Sequence, residues 1–144
     1  MNPDHRLVLV TEATRRTMRA NRGRDTEPEL KVRRLLHGSG LRYRVGTRLP
    51  FDARRRADIY FSRVGLFVFI DGCYWHGCSE HFQMPKTNTD FWSSKIESNR
   101  LRDRDTVDRL GALGFTVLRF WEHQAPADVV AEITRAYRRL LERP

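Results

Sequence analysis

Leu66-Phe67-Val68-Phe69-Ile70 is the stretch that most narrows the fold. An unbroken apolar run of bulky residues, with no polar alternation, describes a strand covered on both faces. A sheet with helices packed on either side covers a strand in that way. Neighbouring segments agree. Ala57-Asp58-Ile59-Tyr60-Phe61 alternates, which places Asp58 and Tyr60 on one face of a second strand. Residues 42–46 and Thr116-Val117-Leu118-Arg119-Phe120 read as two more strands.

The helices have legible ends. Thr26 is an N-cap residue, Pro28 fits the first turn, and Glu29 takes the N3 position of a capping box. Leu30, Val32, Leu35 and Leu36 supply an apolar side, and Gly38 is the expected stop. Thr89 is placed to cap a long helix over about 90 to 112, with Gly114 beyond its end. Pro126 starts a last helix whose apolar positions 129, 130, 133, 137, 140 and 141 keep helical spacing. This order predicts an α/β fold, with α/β/α layers around a central mixed sheet. We expect a basic arm or helix over residues 1–24 and a single domain over 25–144.

The apolar strand runs into Gly72-Cys73-Tyr74-Trp75-His76-Gly77-Cys78-Ser79-Glu80-His81, which holds both cysteines. Cys73, Cys78 and His81 form a short-range ligand set, and His123 supplies a fourth position. Four tetrahedral sulfur and nitrogen ligands suit structural zinc, and soft thiolates select it over magnesium. His76 competes for the same ion. The alternatives are two free thiols in a core, or a disulfide, although nothing in the chain looks secreted.

Charge is distributed unevenly. The chain carries a formal +9, and residues 15–56 hold 14 Lys+Arg against 4 Asp+Glu. From residue 57 onward the two signs balance at 12 each. Arginine dominates the basic third, and its planar fork suits phosphate oxygens. Nucleic acid is therefore the expected partner, with a solvated basic face as the plainer reading. No stretch approaches the roughly 18 apolar residues of a membrane span. Leu7-Val8-Leu9-Val10 is too short for a signal-peptide core. A reducing cytoplasm is the expectation.

Asp58 sits among apolar neighbours, where a carboxylate needs a cation or a metal. Asp71 ends the adjacent strand. Together they suit magnesium, which takes a few carboxylates and phosphate oxygens. His76 lies five residues on and is placed to accept a proton from water. An Asp paired with an arginine is the competing reading.

These residues reach a family. The chain resembles the very short patch repair (Vsr) DNA mismatch endonucleases. The match runs through Ala13-Thr14-Arg15 and Met18-Arg19-Ala20, Arg24-Asp25-Thr26 with Glu29, the Asp58 strand, and Gly72-Cys73-Tyr74-Trp75-His76. It continues through Pro85, Thr87 and Phe91-Trp92, Asn99 with Arg102-Asp103, Leu113-Gly114-Phe115, and Trp121-Glu122. The resemblance implies a restriction-endonuclease-like fold and a magnesium-dependent nick 5′ of the thymine of a T·G mismatch left by 5-methylcytosine deamination. It implies that Asp58 and the backbone carbonyl of Ile70 bind magnesium, and that His76 is the general base. Glu29 and Asp103 assist through metal-bound waters, with Asn99 nearby. Tyr74, Trp75 and Trp92 form an aromatic wedge entering the base stack, and Met18 approaches from the opposite groove. Arg15 and Arg19 lie on the basic arm beside it.

The chain departs from the family pattern at the zinc ligands His81 and His123. It departs again at Asp71, where some members carry a histidine thought to contact phosphate. An anion cannot donate that contact. Asp71 is read either as part of the magnesium shell or as a bystander. A monomer acting on mismatched double-stranded DNA is expected, with mismatch-repair proteins as candidate partners. The alternatives are a restriction or defence nickase of the same fold with another target, and a non-catalytic zinc-stapled DNA-binding module.

Overall fold

In the computed structural model, residues 26–81 and 83–144 are described. The arm expected over residues 1–24, with Arg15, Met18 and Arg19, lies outside them. Helix α1 (Glu27–Gly38) begins at Thr26 with Pro28 in its first turn. The Thr26 side chain makes no capping bond. The helix ends at Gly38, as expected, and a left-handed glycine follows it. Gly40 takes the left-handed conformation (φ 84°), the Leu41 N–H donates to Leu36 O, and the Gly40 N–H donates to His37 O. That pair of bonds satisfies the last carbonyls of the helix.

Strands β1 (Arg44–Leu49) and β2 (Asp52–Phe61) form a hairpin, turning at Pro50 and Phe51. Both extend beyond the expected 42–46 and 57–61. The surplus is an arginine-rich ribbon with Arg48 opposite Arg56. Like charges in opposed positions weaken a pair, so this stretch lacks the strand signal in sequence. β3 (Leu66–Asp71) is buried almost throughout, as its apolar run requires. It pairs antiparallel with β2 and parallel with β4 (Thr116–Trp121), giving a four-stranded mixed sheet in the order β1-β2-β3-β4.

The alternation of β3 sorts the two cores. Leu66 and Val68 pack with Ile59, Phe61 and Phe120 under α1 and the last helix, α4 (Pro126–Leu141). α4 contributes Val129, Val130, Ile133 and Tyr137, whereas Leu141 at its end is exposed. Phe67 and Phe69 face the other way, with Leu49 and Leu110. Leu110 belongs to the long helix α3 (Thr89–Ala112). Tyr60 stacks on Phe67 at 4.2 Å on that side. Each buried Leu, Val or Phe contributes about 1.5–3 kcal/mol. The layers are therefore helix, mixed sheet, helix, as expected.

α3 starts after Asn88, which is left-handed at φ 56°; Thr89 is its first residue rather than its cap. It ends as α1 does, with Gly114 left-handed and the Phe115 N–H donating to Leu110 O. The cysteine stretch opens as one helical turn, α2 (Cys73–His76), rather than as a loop. Gly77 closes that turn at φ 66°.

Candidate active site

The site begins where the sheet divides. β2 and β3 are paired from Phe61↔Leu66 to Ile59↔Val68 and no further. Successive residues of a strand direct their backbone groups to alternate neighbours. The Asp71 carbonyl accepts from the Glu122 N–H on the β4 side. The N–H and C=O of Ile70 therefore face the opening toward β2. There the Ile70 N–H donates to Asp58 Oδ2 at 2.6 Å. A carboxylate thus takes the place of a ladder partner.

Glu29, from the first turn of α1, is buried against the same carboxylate, to which it is hydrogen-bonded. Asp58 is pushed up to about 7, first by burial and then by Glu29, against the opposing pull of the Ile70 N–H; Asp71 adds a further push. Crowded, desolvated acids of this kind call for a cation. With the Ile70 carbonyl directed to the same opening, the donors are all oxygen, as a hard dication requires.

Across the cleft, His76 Nδ1 is hydrogen-bonded to Asp103 Oδ2. A carboxylate at Nδ1 holds the proton there and leaves Nε2 as the acceptor. Nε2 lies 3.9 Å from Asp71 Oδ1. Burial lowers the His76 pKa, but the Asp103 bond and the Asp71 and Asp103 charges outweigh it and raise the net value. Asp103 thus touches the histidine directly. Asn99 is buried one turn earlier on α3.

Asp71 is not free. It takes a bidentate bond from Arg119, with Nε at 2.9 Å and Nη2 at 2.7 Å. The same Nη2 lies 3.0 Å from Asp103 Oδ1, and the guanidinium sits 4.3 Å over the Phe69 ring. Sequence reading missed Arg119. Its signal was present, since an arginine within a strand beside a buried one needs an acid. These groups line a cleft of about 270 Å³, with Arg54, Arg55, Arg56 and Arg102 at its walls. Arg55 bonds Asp105 Oδ2 at 2.7 Å and Thr106 Oγ1 at 3.0 Å, tying the hairpin to α3.

The second cluster is adjacent. Cys73, Cys78, His81 and His123 bring one ligand atom each to within 4.8 Å of one another. His123 Nδ1 is 3.2 Å from Cys73 Sγ and 3.7 Å from Cys78 Sγ; His81 Nδ1 is 3.9 Å from Cys78 Sγ. The edges of a zinc tetrahedron with these donors are about 3.4–3.8 Å, so the set fits zinc. The thiols are reduced. Burial, together with Cys78 beside it, pushes the Cys73 thiol up to about 12, a strain that a dication relieves. His123 Nε2 is held 3.3 Å from Glu80, the outer carboxylate that orients many metal-bound histidines. His76 faces the acids and is not part of this set. Glu122 joins the two clusters, lining the cleft while accepting the Cys73 N–H at 3.0 Å.

The aromatic residues divide. Tyr74 and Trp75 lie in the α2 turn. Trp92 is 2 % exposed and packs beside Phe91, which is 44 % exposed. The expectation that Trp92 presents a stacking surface is corrected for this conformation. At the start of α3, Trp92 faces the protein and Phe91 faces out.

Gly77 fixes this arrangement. Arg100 donates to the His76 and Gly77 carbonyls. A Cβ at Gly77 would lie 2.6 Å from Ile96 Cγ2 and 2.7 Å from Arg100 Nη2. Gly77→Ala also carries the strain of a positive φ. We expect a loss of about 2–4 kcal/mol, seen as a lower midpoint in thermal denaturation; an unchanged midpoint would refute this role.

An acid pair in a sheet opening, a histidine held by an aspartate and a surround of arginines are the equipment of a phosphodiester-cleaving enzyme. Residues 8–81 match the family model described as DNA mismatch endonuclease Vsr. The chain belongs to the Vsr family and is a DNA endonuclease. It is 42% identical over 120 residues to the type II nicking enzyme V.NaeI of Lentzea aerocolonigenes, covering 82% of this chain and 72% of that one. It is 35% identical over 128 residues to V.NmeDIP of Neisseria meningitidis serogroup C, covering 88% and 82%. It is 40% identical over 114 residues to the DNA mismatch endonuclease Vsr of Escherichia coli strain K12, covering 77% and 70%. No helix among the described residues is long and apolar enough to cross a membrane.

Proposed function

We propose that this chain nicks one strand of double-stranded DNA 5′ of the thymine in a T·G mismatch, the product of 5-methylcytosine deamination. The observation that carries the chemistry is the Asp58–Glu29 pair facing the His76–Asp103 pair across one arginine-lined cleft. Asp58 and the Ile70 carbonyl would hold magnesium, with Glu29 assisting through a metal-bound water. The chemistry such an ion would supply there is neutralisation of the charge that develops on the phosphate and the leaving oxygen. His76 Nε2 takes the proton of the attacking water as its oxygen bonds to phosphorus and a P–O ester bond breaks. Asp103 keeps His76 in the required tautomer and orientation, a more direct part than the water-mediated one expected from resemblance. Cys73, Cys78, His81 and His123 would hold zinc, which would fix the turn carrying His76.

Tyr74 and Trp75 enter the base stack beside the mismatch, where unstacking costs least. Stacking returns roughly 1–3 kcal/mol per base. The arm with Arg15, Met18 and Arg19 grips the duplex from the other groove.

The test is a magnesium-dependent nicking assay on duplexes that differ only in T·G against T·A, in several flanking contexts. We expect nicking confined to T·G, and Trp75→Ala to lower that preference about tenfold. Nicking of fully paired duplexes at a fixed sequence would replace this reading with the restriction or defence nickase. The names of the type II nicking relatives favour keeping that second reading in view. Tight binding without nicking would leave only the DNA-binding module.

A further inference from the structure

Arg119 occupies a position that its ion pairs do not fully explain. Its Nε and Nη2 are committed to Asp71, and Nη2 also reaches Asp103. The Phe69 ring supports the guanidinium plane. Orientation is thus fixed on three sides. Nη1, with two further donors, makes no hydrogen bond among the described residues. Arg119 is only partly buried, and it lines both the catalytic cleft and the adjoining one.

Its neighbours matter as much. His76 Nε2 and Arg119 Nη2 both lie within 4 Å of Asp71 Oδ1. A phosphate brought to the histidine would meet Asp71 and Asp103, two acids that repel it. Arg119 is the cation bonded to both of those acids. Arg55, on the hairpin, is engaged by Asp52, Asp105 and Thr106.

We propose that Arg119 is a catalytic residue whose free Nη1 edge binds a non-bridging oxygen of the scissile phosphodiester. Asp71 is the positioning residue that aims it. This rests on the endonuclease reading above. It also gives Asp71 a role compatible with its charge: the acid does not touch phosphate but presents the group that does.

The test couples the residue to one phosphate. The nick position is first mapped with the wild-type protein. A duplex is then made with a neutral methylphosphonate at that position, and binding is measured without added magnesium. Two variants are compared with wild type. Arg119→Lys keeps a charge against Asp71 but lacks the second edge. Arg119→Met combined with Asp71→Asn removes both charges, so Asp71 is not stranded as a buried ion, and Asp103 keeps its bond to His76. We expect the methylphosphonate to weaken wild-type binding about tenfold, and to weaken either variant by less than about twofold. Both variants should nick about 10²–10³-fold more slowly than wild type. An equal methylphosphonate penalty in wild type and the double variant would overturn the proposal, as would wild-type nicking by that variant. Failure of the mismatch reading is separately visible, as equal wild-type preference for T·G and T·A. The phosphate coupling is read between duplexes that differ at a single group.

Discussion

Asp58→Asn is expected to slow nicking by about 10³-fold or more while a T·G duplex stays bound. The same change should raise the melting temperature of the protein without magnesium. The two effects share one cause. Asp58 is buried beside Glu29 and is pushed up to about 7. Above that pH, keeping it ionised opposes folding, because the unfolded chain holds the same carboxylate at no such cost. Asparagine removes the charge yet retains an oxygen for the Ile70 N–H. The gain should be on the order of a few kcal/mol at pH 8. Magnesium should stabilise the wild type and not the variant. Differential scanning calorimetry with and without magnesium, run beside the nicking assay, reads both effects. A variant that still nicks would overturn the assignment of Asp58. One that melts lower than wild type would show that the acid pair is not under strain.

The second large effect separates the two histidine environments. His76→Ala should slow nicking by about 10²–10⁴-fold and leave zinc content at one equivalent. Cys78→Ser should lose zinc, nicking and several kcal/mol of stability together, since structural zinc supplies folding energy directly. Cys78 is buried and faces both His81 and His123, whereas His76 faces Asp103 and Asp71. Zinc analysis of the purified variants beside their nicking rates decides the matter. Loss of zinc from His76→Ala would place that histidine in the cysteine cluster.

How much of this was legible follows from what each residue needs. β3 was legible because an unbroken apolar run has few other places to go. The cysteine set was legible because Cys73, Cys78 and His81 crowd into one short stretch, a spacing rare by chance, and His123 was at hand as a fourth ligand. Resemblance brought Asp58, His76, Glu29 and Asp103 to one site, and the cleft holds all four. The hairpin was only half visible, since Arg54, Arg55 and Arg56 look like a solvated loop until Arg48 of β1 pairs with Arg56. Helix α2 was read as a loop because a single turn has no periodicity to detect. Trp92 was misplaced because an aromatic residue at the start of a helix gives no sign of which side it faces. The Asp71–Arg119 pair is half legible: a buried acid beside an apolar strand asks for an arginine, but the sequence points to Asp58 as that acid. Spacing of 48 residues hides such a pairing until β3 and β4 are laid side by side.

The sheet opening has a consequence for how this enzyme can vary. At Ile70 the groups that face the acid belong to the main chain, while the side chain packs into the opposite core. Valine, leucine or methionine there would alter packing and leave the polar contact untouched. Proline alone among the twenty would delete the N–H. Selection can therefore retune the interior at this position without disturbing the chemistry behind it. An alignment inspected for invariant side chains would pass over a residue whose main chain holds the buried acid of the site.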